Sequence, residues 1–315
     1  MRVSTRLDHD SGPSTYEIWF ALAPAPPSSS PSAASPNATA PPSRVRLIGP
    51  ADGPDAGPSS APLWLTERIR VVTGRQATVV AGGRQTDLGD WLRRAESAES
   101  AVRSRIASSP DARWSTGLVI ELPSTEQAFD QVLGAEPGSY DQIAAVAWPQ
   151  GPDPATAAVR VVVNPKPAGA LDDDRLAVLI THEATHVLTR SATSPAPMWL
   201  VEGFADWVAF DRVPAAAPPT RDLVIEDVRR HGPPAEFPGD ASFRPDADDL
   251  NLTYGRAWLL CSYIAERWSD ADLVRLYAEV DGGTALPGAL QDVLGVDEST
   301  LLSGWQRWLA RSATR

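Results

Sequence analysis

From Leu171 onward, apolar residues recur at helical spacing almost without a break. The pattern predicts helices over Leu171–Arg190, Met198–Phe210, Leu223–Arg230, Leu252–Trp268, Ala271–Val280 and Ser299–Arg311. Ahead of this run the period alternates. Short β-rich stretches at Ile69–Val72, Ala77–Ala81, Thr116–Leu122, Ile143–Trp148 and Ala158–Val163 read as strands. A polar helix opening at Thr86 and Asp87 runs to about Ile106. A second helix covers Ser124–Leu133, with Ser124 as N-cap and Gln127 at the third helical position. The expected fold class is therefore α+β: a mixed α/β part over residues 63–170, then a helical part over residues 171–315.

Residues 1–62 follow neither period. Eleven of the 30 prolines fall between Pro24 and Pro62, mixed with serine and alanine, which is the composition of an unpacked linker. Two strand-like pieces, Tyr16–Leu22 and Arg44–Ile48, flank or interrupt it and could pair across it. No 18-residue apolar run is present, so no transmembrane segment is expected. The first ten residues lack the apolar stretch of a secretory signal, which leaves localisation open. A net charge of −12 argues against a nucleic-acid partner. A single cysteine excludes an internal disulfide and a thiolate metal cluster, so any metal site must use nitrogen and oxygen donors.

Within the first long helix stands His182-Glu183-Ala184-Thr185-His186. Histidines four apart lie one turn above one another, so both imidazoles can reach one metal ion while Glu183 points toward a water bound there. Two of the chain's four histidines are in this segment. A catalytic zinc takes three protein ligands and keeps one position open. Glu202, on the next helix, is the candidate third ligand. Asp206, one turn further on, is placed to accept the second imidazole N–H of a ligating histidine.

His182-Glu183-x-x-His186 followed by Trp199-Leu200-x-Glu202-Gly203-x-Ala205 resembles the gluzincin zinc metallopeptidases, in particular the bacterial peptidase-MA-like group. Tyr254-Gly255-Arg256-Ala257-Trp258 and the following helices extend the likeness over roughly Val159 to Leu309. The resemblance implies a zincin-like fold, Zn2+ held by His182, His186 and Glu202, Glu183 as general base, and a peptide or protein substrate. It also implies a tyrosine that donates to the developing oxyanion, and Tyr254 is the candidate, beginning a helix after the Asp246, Asp248 and Asp249 cap region. The Gly-x-Met-Glu-Asn segment of the aminopeptidase branch is missing. Substrate backbone is expected to pair with an exposed sheet edge, taken as Ala158–Val163.

The alternative is a non-catalytic protein that uses the same scaffold to bind peptides or to hold a structural zinc. A retained Glu183, and no fourth ligand cluster to close a structural site, favour catalysis. His231 reads as a solvated loop residue and Cys261 as a packed small hydrophobe. Trp199 and Trp258 are candidates to wall the cleft.

Overall fold

The computed structural model describes residues 2–17, 19–24, 45–51, 60–84, 87–107, 109, 114–115, 117–153, 155–244 and 247–314. Two hairpins come first. Strands β1 (Arg2–Thr5) and β2 (Ser14–Glu17) pair antiparallel, as do β3 (Trp19–Pro24) and β4 (Val45–Ala51). The second pairing joins the two strand-like pieces of the N-terminal segment. Most of the Pro/Ser-rich stretch between and after them lies outside the described residues.

After a single helical turn, α1 (Leu63–Thr66), the chain builds one five-stranded sheet. Its strands are β5 (Ile69–Thr73), β6 (Ala77–Gly82), β7 (Leu118–Leu122), β8 (Ala145–Pro149) and β9 (Val159–Val163). The order is β5-β6-β7-β9-β8. The inner three are parallel, and both flanking strands run antiparallel to them. Every residue of β6, β7 and β9 is buried, as inner strands covered on both faces require. Ala158–Val163 is therefore no sheet edge: β9 is paired on both sides, and the open edge near the helix that carries His182 and His186 belongs to β8. The sequence could not distinguish them, because both runs are short and apolar and strand order is set by the connections.

Side-chain alternation divides the core between the two faces. Val79, Ile120, Val161 and their alternates pack under α2 (Leu88–Ile106) and the helical layer. Val80, Val119 and Val162 pack under α1 and α3 (Glu126–Leu133). Helix α3 takes its N-cap one residue later than expected. Thr125 caps the Ala128 N–H, while Ser124 is drawn off to the carboxylate of Glu67.

On the α3 face, Arg160 of β9 and Glu121 of β7 are both buried. The guanidinium forms a fork on Asp10, with Nε to Oδ1 at 2.9 Å and Nη2 to Oδ2 at 2.7 Å, and also donates to Ser14 Oγ and Glu121 Oε1. Tyr16 donates to Gln150 just beyond β8. The first hairpin is therefore fastened to the sheet, so the N-terminal segment up to residue 17 packs against the α/β part instead of standing apart from it.

The short α4 (Pro165–Gly169) leads into the helical layer: α5 (Asp173–Thr189), α6 (Met198–Arg212), α7 (Ala217–His231), α8 (Leu250–Arg267), α9 (Asp270–Asp281), α10 (Leu286–Leu294) and α11 (Glu298–Ala313). Helix α5 lies beside α2 against the sheet, and α6 is packed between α5 and α8. Helix α7 starts six residues before the expected Leu223, and α10 was not expected. Both carry proline in the first turn, where its missing N–H costs nothing. No helix among the described residues is long and apolar enough to cross a membrane.

Asp10→Ala should leave the Arg160 charge short of its partner in the interior. Loss of one member of a buried pair costs about 3–5 kcal/mol, so urea unfolding of the variant should shift to a clearly lower midpoint. A change below about 1 kcal/mol would show that this network does not fasten the hairpin.

Candidate metal centre

Helix α5 is fixed at its start by Asp172, whose side chain accepts the Arg175 N–H, with Asp173 and Asp174 in a first turn that favours negative charge. Ile180, Ala184, Val187 and Leu188 bury it in the core. Thr181, Thr185 and Thr189 are buried as well, and each hydroxyl donates to the carbonyl four residues earlier, so their polar atoms remain satisfied. The helix ends at Arg190, a non-glycine residue in the left-handed region (φ 58°, ψ 35°).

The face of α5 that meets α6 carries His182 and His186. Their Nε2 atoms are 3.0 Å apart, and Glu202 Oε2 lies 3.2 Å from the first and 3.3 Å from the second. Three donor atoms thus form a nearly equilateral triangle. A tetrahedral ion with ligand distances of about 2.0–2.1 Å has edges of about 3.3 Å, so these donors fit such an ion with a fourth position left over. No other group of three His, Cys, Asp or Glu side chains among the described residues is arranged to hold a metal. The site could hold a divalent cation, and its donor set alone does not single out zinc.

The remaining imidazole nitrogens face outward from the triangle. His182 Nδ1 is 2.8 Å from Asp206 Oδ1, and His186 Nδ1 is 2.9 Å from Ser191 Oγ. With protons on both Nδ1 atoms, both Nε2 lone pairs point to the common centre. Burial opposes charge on Glu202, but the two imidazoles outweigh it and hold the carboxyl well below the usual carboxylate range. Burial likewise opposes a charged His182, and Asp206 and Glu202 reverse this, raising it well above the usual histidine value.

Glu183 is buried and points toward β8, where its Oε2 accepts the Ala147 N–H at 2.7 Å. Burial raises its carboxyl above the usual value, against the pull of the two histidines and this hydrogen bond. In the β8–β9 register the Gln150 N–H donates to Ala158 and the Asn164 N–H to Ala144. The backbone groups of Ala145, Ala147 and Pro149 therefore face the open edge. Glu183 thus touches the free edge of the sheet.

Tyr254 sits in the second turn of α8 with its ring centroid 6.3 Å from that of His182 and an edge-on contact to Phe243 at 5.4 Å. Burial, reinforced by Glu202, Asp206 and Glu183, pushes its phenol up, so the hydroxyl keeps its proton and stays a donor. Asp249 stands at the N-cap position of α8 in the left-handed region with no side-chain cap, Asp248 precedes it in the turn, and Asp246 lies outside the described residues.

Gly203 brings this helix so close. A Cβ there would stand 2.3 Å from the Ala257 carbonyl oxygen and 2.9 Å from Cys261 Sγ, so glycine lets α6 and α8 meet at backbone distance. The same turn of α6 thus offers Glu202 to the histidines and Gly203 to the helix that carries Tyr254. Cys261 is buried at this crossing. Trp199 packs at a tilt against Phe237, and Trp258 against Phe210; both are buried core residues. His231 ends α7, exposed and bonded to Asp227, outside the cluster. Ser191 and the Ala147 N–H are the two site groups that sequence reading missed. A serine after a helix end has no distinctive pattern, and a backbone donor leaves none at all.

No protein-family model and no curated protein matches the chain.

Gly203→Ala should force α6 and α8 apart, with a cost of about 1–3 kcal/mol typical of overpacking. Gly239→Ala, whose Cβ would meet nothing within 4 Å, is the matched control. Thermal unfolding should separate the two variants, and equal melting temperatures would contradict the close crossing.

Proposed function

We propose that the protein is a zinc-dependent metallopeptidase of gluzincin type. What carries this reading is the convergence of His182, His186 and Glu202 on one point, beside a buried Glu183 that reaches an open sheet edge. Two carboxylates, Glu202 and Asp206, are buried around the two histidines, and a cation at their common point would supply the missing positive charge. When bound, zinc would supply a water of lowered pKa and a Lewis acid for the scissile carbonyl.

The chain's own residues supply the rest. Glu183 Oε2 is held by Ala147, which leaves Oε1 to take a proton from the attacking water and return it to the leaving amine nitrogen. The Tyr254 hydroxyl donates to the substrate carbonyl oxygen as negative charge grows there. An extended peptide pairs along β8, where Ala145 and the Ala147 carbonyl face the open edge, the Ala147 N–H being held by Glu183, and Pro149 ends the supply of N–H donors.

Metal analysis and a peptide-library cleavage assay on wild type and Glu183→Gln test this reading. One zinc per chain is expected in both, with cleavage reduced about 10²–10⁴-fold in the variant. Zinc without cleavage in either protein would favour a peptide-binding role, and no zinc in either would overturn the metal site.

Ala147→Pro probes the edge. It removes an N–H that points away from β9, so the sheet ladder should survive. Cleavage should fall while zinc content and circular dichroism stay at wild-type values; unchanged cleavage would remove Ala147 from the machinery.

A further inference from the structure

The two imidazoles of the cluster are anchored by partners of different chemistry. Asp206, from the adjacent helix α6, is a carboxylate and can only accept, so it admits a single tautomer of His182, the one with its proton on Nδ1. Ser191 comes from the turn that follows α5 itself, and its hydroxyl can accept from or donate to His186 Nδ1. It therefore permits either tautomer until Nε2 is engaged. Once Nε2 binds a metal, Nδ1 must carry the proton, and Ser191 Oγ becomes its acceptor at 2.9 Å.

Reaching that position requires an unusual backbone. Ser191 follows His186 by five residues, so a continued helix would carry it past the imidazole. The chain instead reverses at Arg190, in the left-handed conformation that side chains other than glycine seldom adopt. Arg190 N–H closes on the helix carbonyls of His186 and Val187, and a 3-10 turn over Ser191–Thr193 follows at once. The guanidinium of Arg190 also donates to the Ala155 carbonyl. A locally unfavourable residue is thus held in place where the backbone returns a hydroxyl to a histidine of the cluster.

We infer that Ser191 is a positioning residue for the metal centre, holding His186 by its Nδ1 so that Nε2 faces the shared point. The inference rests on reading His182, His186 and Glu202 as metal ligands. Ser191 touches no substrate and carries no charge. Its contribution is to metal affinity, through the orientation and tautomer of one ligand.

Zinc affinity, measured by competition with a chromogenic chelator at fixed pH, tests this for wild type, Ser191→Ala, Ser191→Thr and Arg190→Gly. Groups that orient a ligating histidine are worth about 10- to 100-fold in affinity. Ser191→Ala should weaken zinc binding at least tenfold, with the circular dichroism and melting temperature of the chelator-treated protein unchanged. Ser191→Thr keeps the hydroxyl and should restore affinity to within about threefold of wild type. Arg190→Gly keeps the left-handed turn at lower strain and should bind zinc as wild type does. Equal affinity in wild type and Ser191→Ala, or a loss in Ser191→Thr as large as in Ser191→Ala, would overturn the role of Ser191. Wild type that binds no zinc would instead overturn the metal reading on which the inference rests.

Discussion

Charge that leaves water must find a partner, and that requirement governs two polar regions inside this protein. An ion moved into the interior without compensation costs several kcal/mol even after relaxation. The two lie on opposite faces of one sheet. On the α3 face a guanidinium is ringed by two carboxylates and a serine hydroxyl. On the helical face two carboxylates are ringed about a pair of histidines. In the first set the protein's own groups meet the guanidinium, and they fasten a hairpin. The second leaves three donor atoms aimed at one point, an arrangement that could hold a cation.

Strands β8 and β9 stand between those two polar regions. Arg160 stands on β9, and β8 pairs with it residue by residue, presenting Ala147 to Glu183 on its free side. The position of Glu183 relative to the histidines is therefore fixed from two directions: by the helix that carries all three, and by the strand whose Ala147 N–H donates to the carboxylate. The close crossing at Gly203 adds a third constraint by setting how near α8 comes. Rigid secondary structure supplies each component, which suits a centre whose ligands must agree to a fraction of an ångström.

Much of this was legible in the sequence because it depends on spacing along one chain. His182 and His186 are related by a single helical turn, and so are Glu202 and Asp206; each pair shares a face whatever the rest of the fold does. The helices and strands were readable for the same reason, since period is local. What escaped depends on contacts between distant segments. Strand order decided that β8 and not β9 is the edge, and Ser124 lost its capping role to Glu67, 57 residues earlier. The packing of residues 2–17 on the sheet depends on Arg160, a residue whose burial no local pattern announces. Ser191 and the Ala147 amide belong to the site only because a reversed turn and a sheet register bring them there.

The link between Asp10 and Arg160 spans 150 residues, and that distance bears on how the protein is made. At a synthesis rate of about 5–20 residues per second, Asp10 precedes its partner by about 8–30 s, far longer than a hairpin takes to form on its own. During that interval the first strands have neither their guanidinium nor the sheet face they later cover. The α/β part thus has no complete α3 face until β9 has left the ribosome. Helix α5, which carries His182 and His186 and follows β9 by only ten residues, then emerges onto a sheet that has just been able to close.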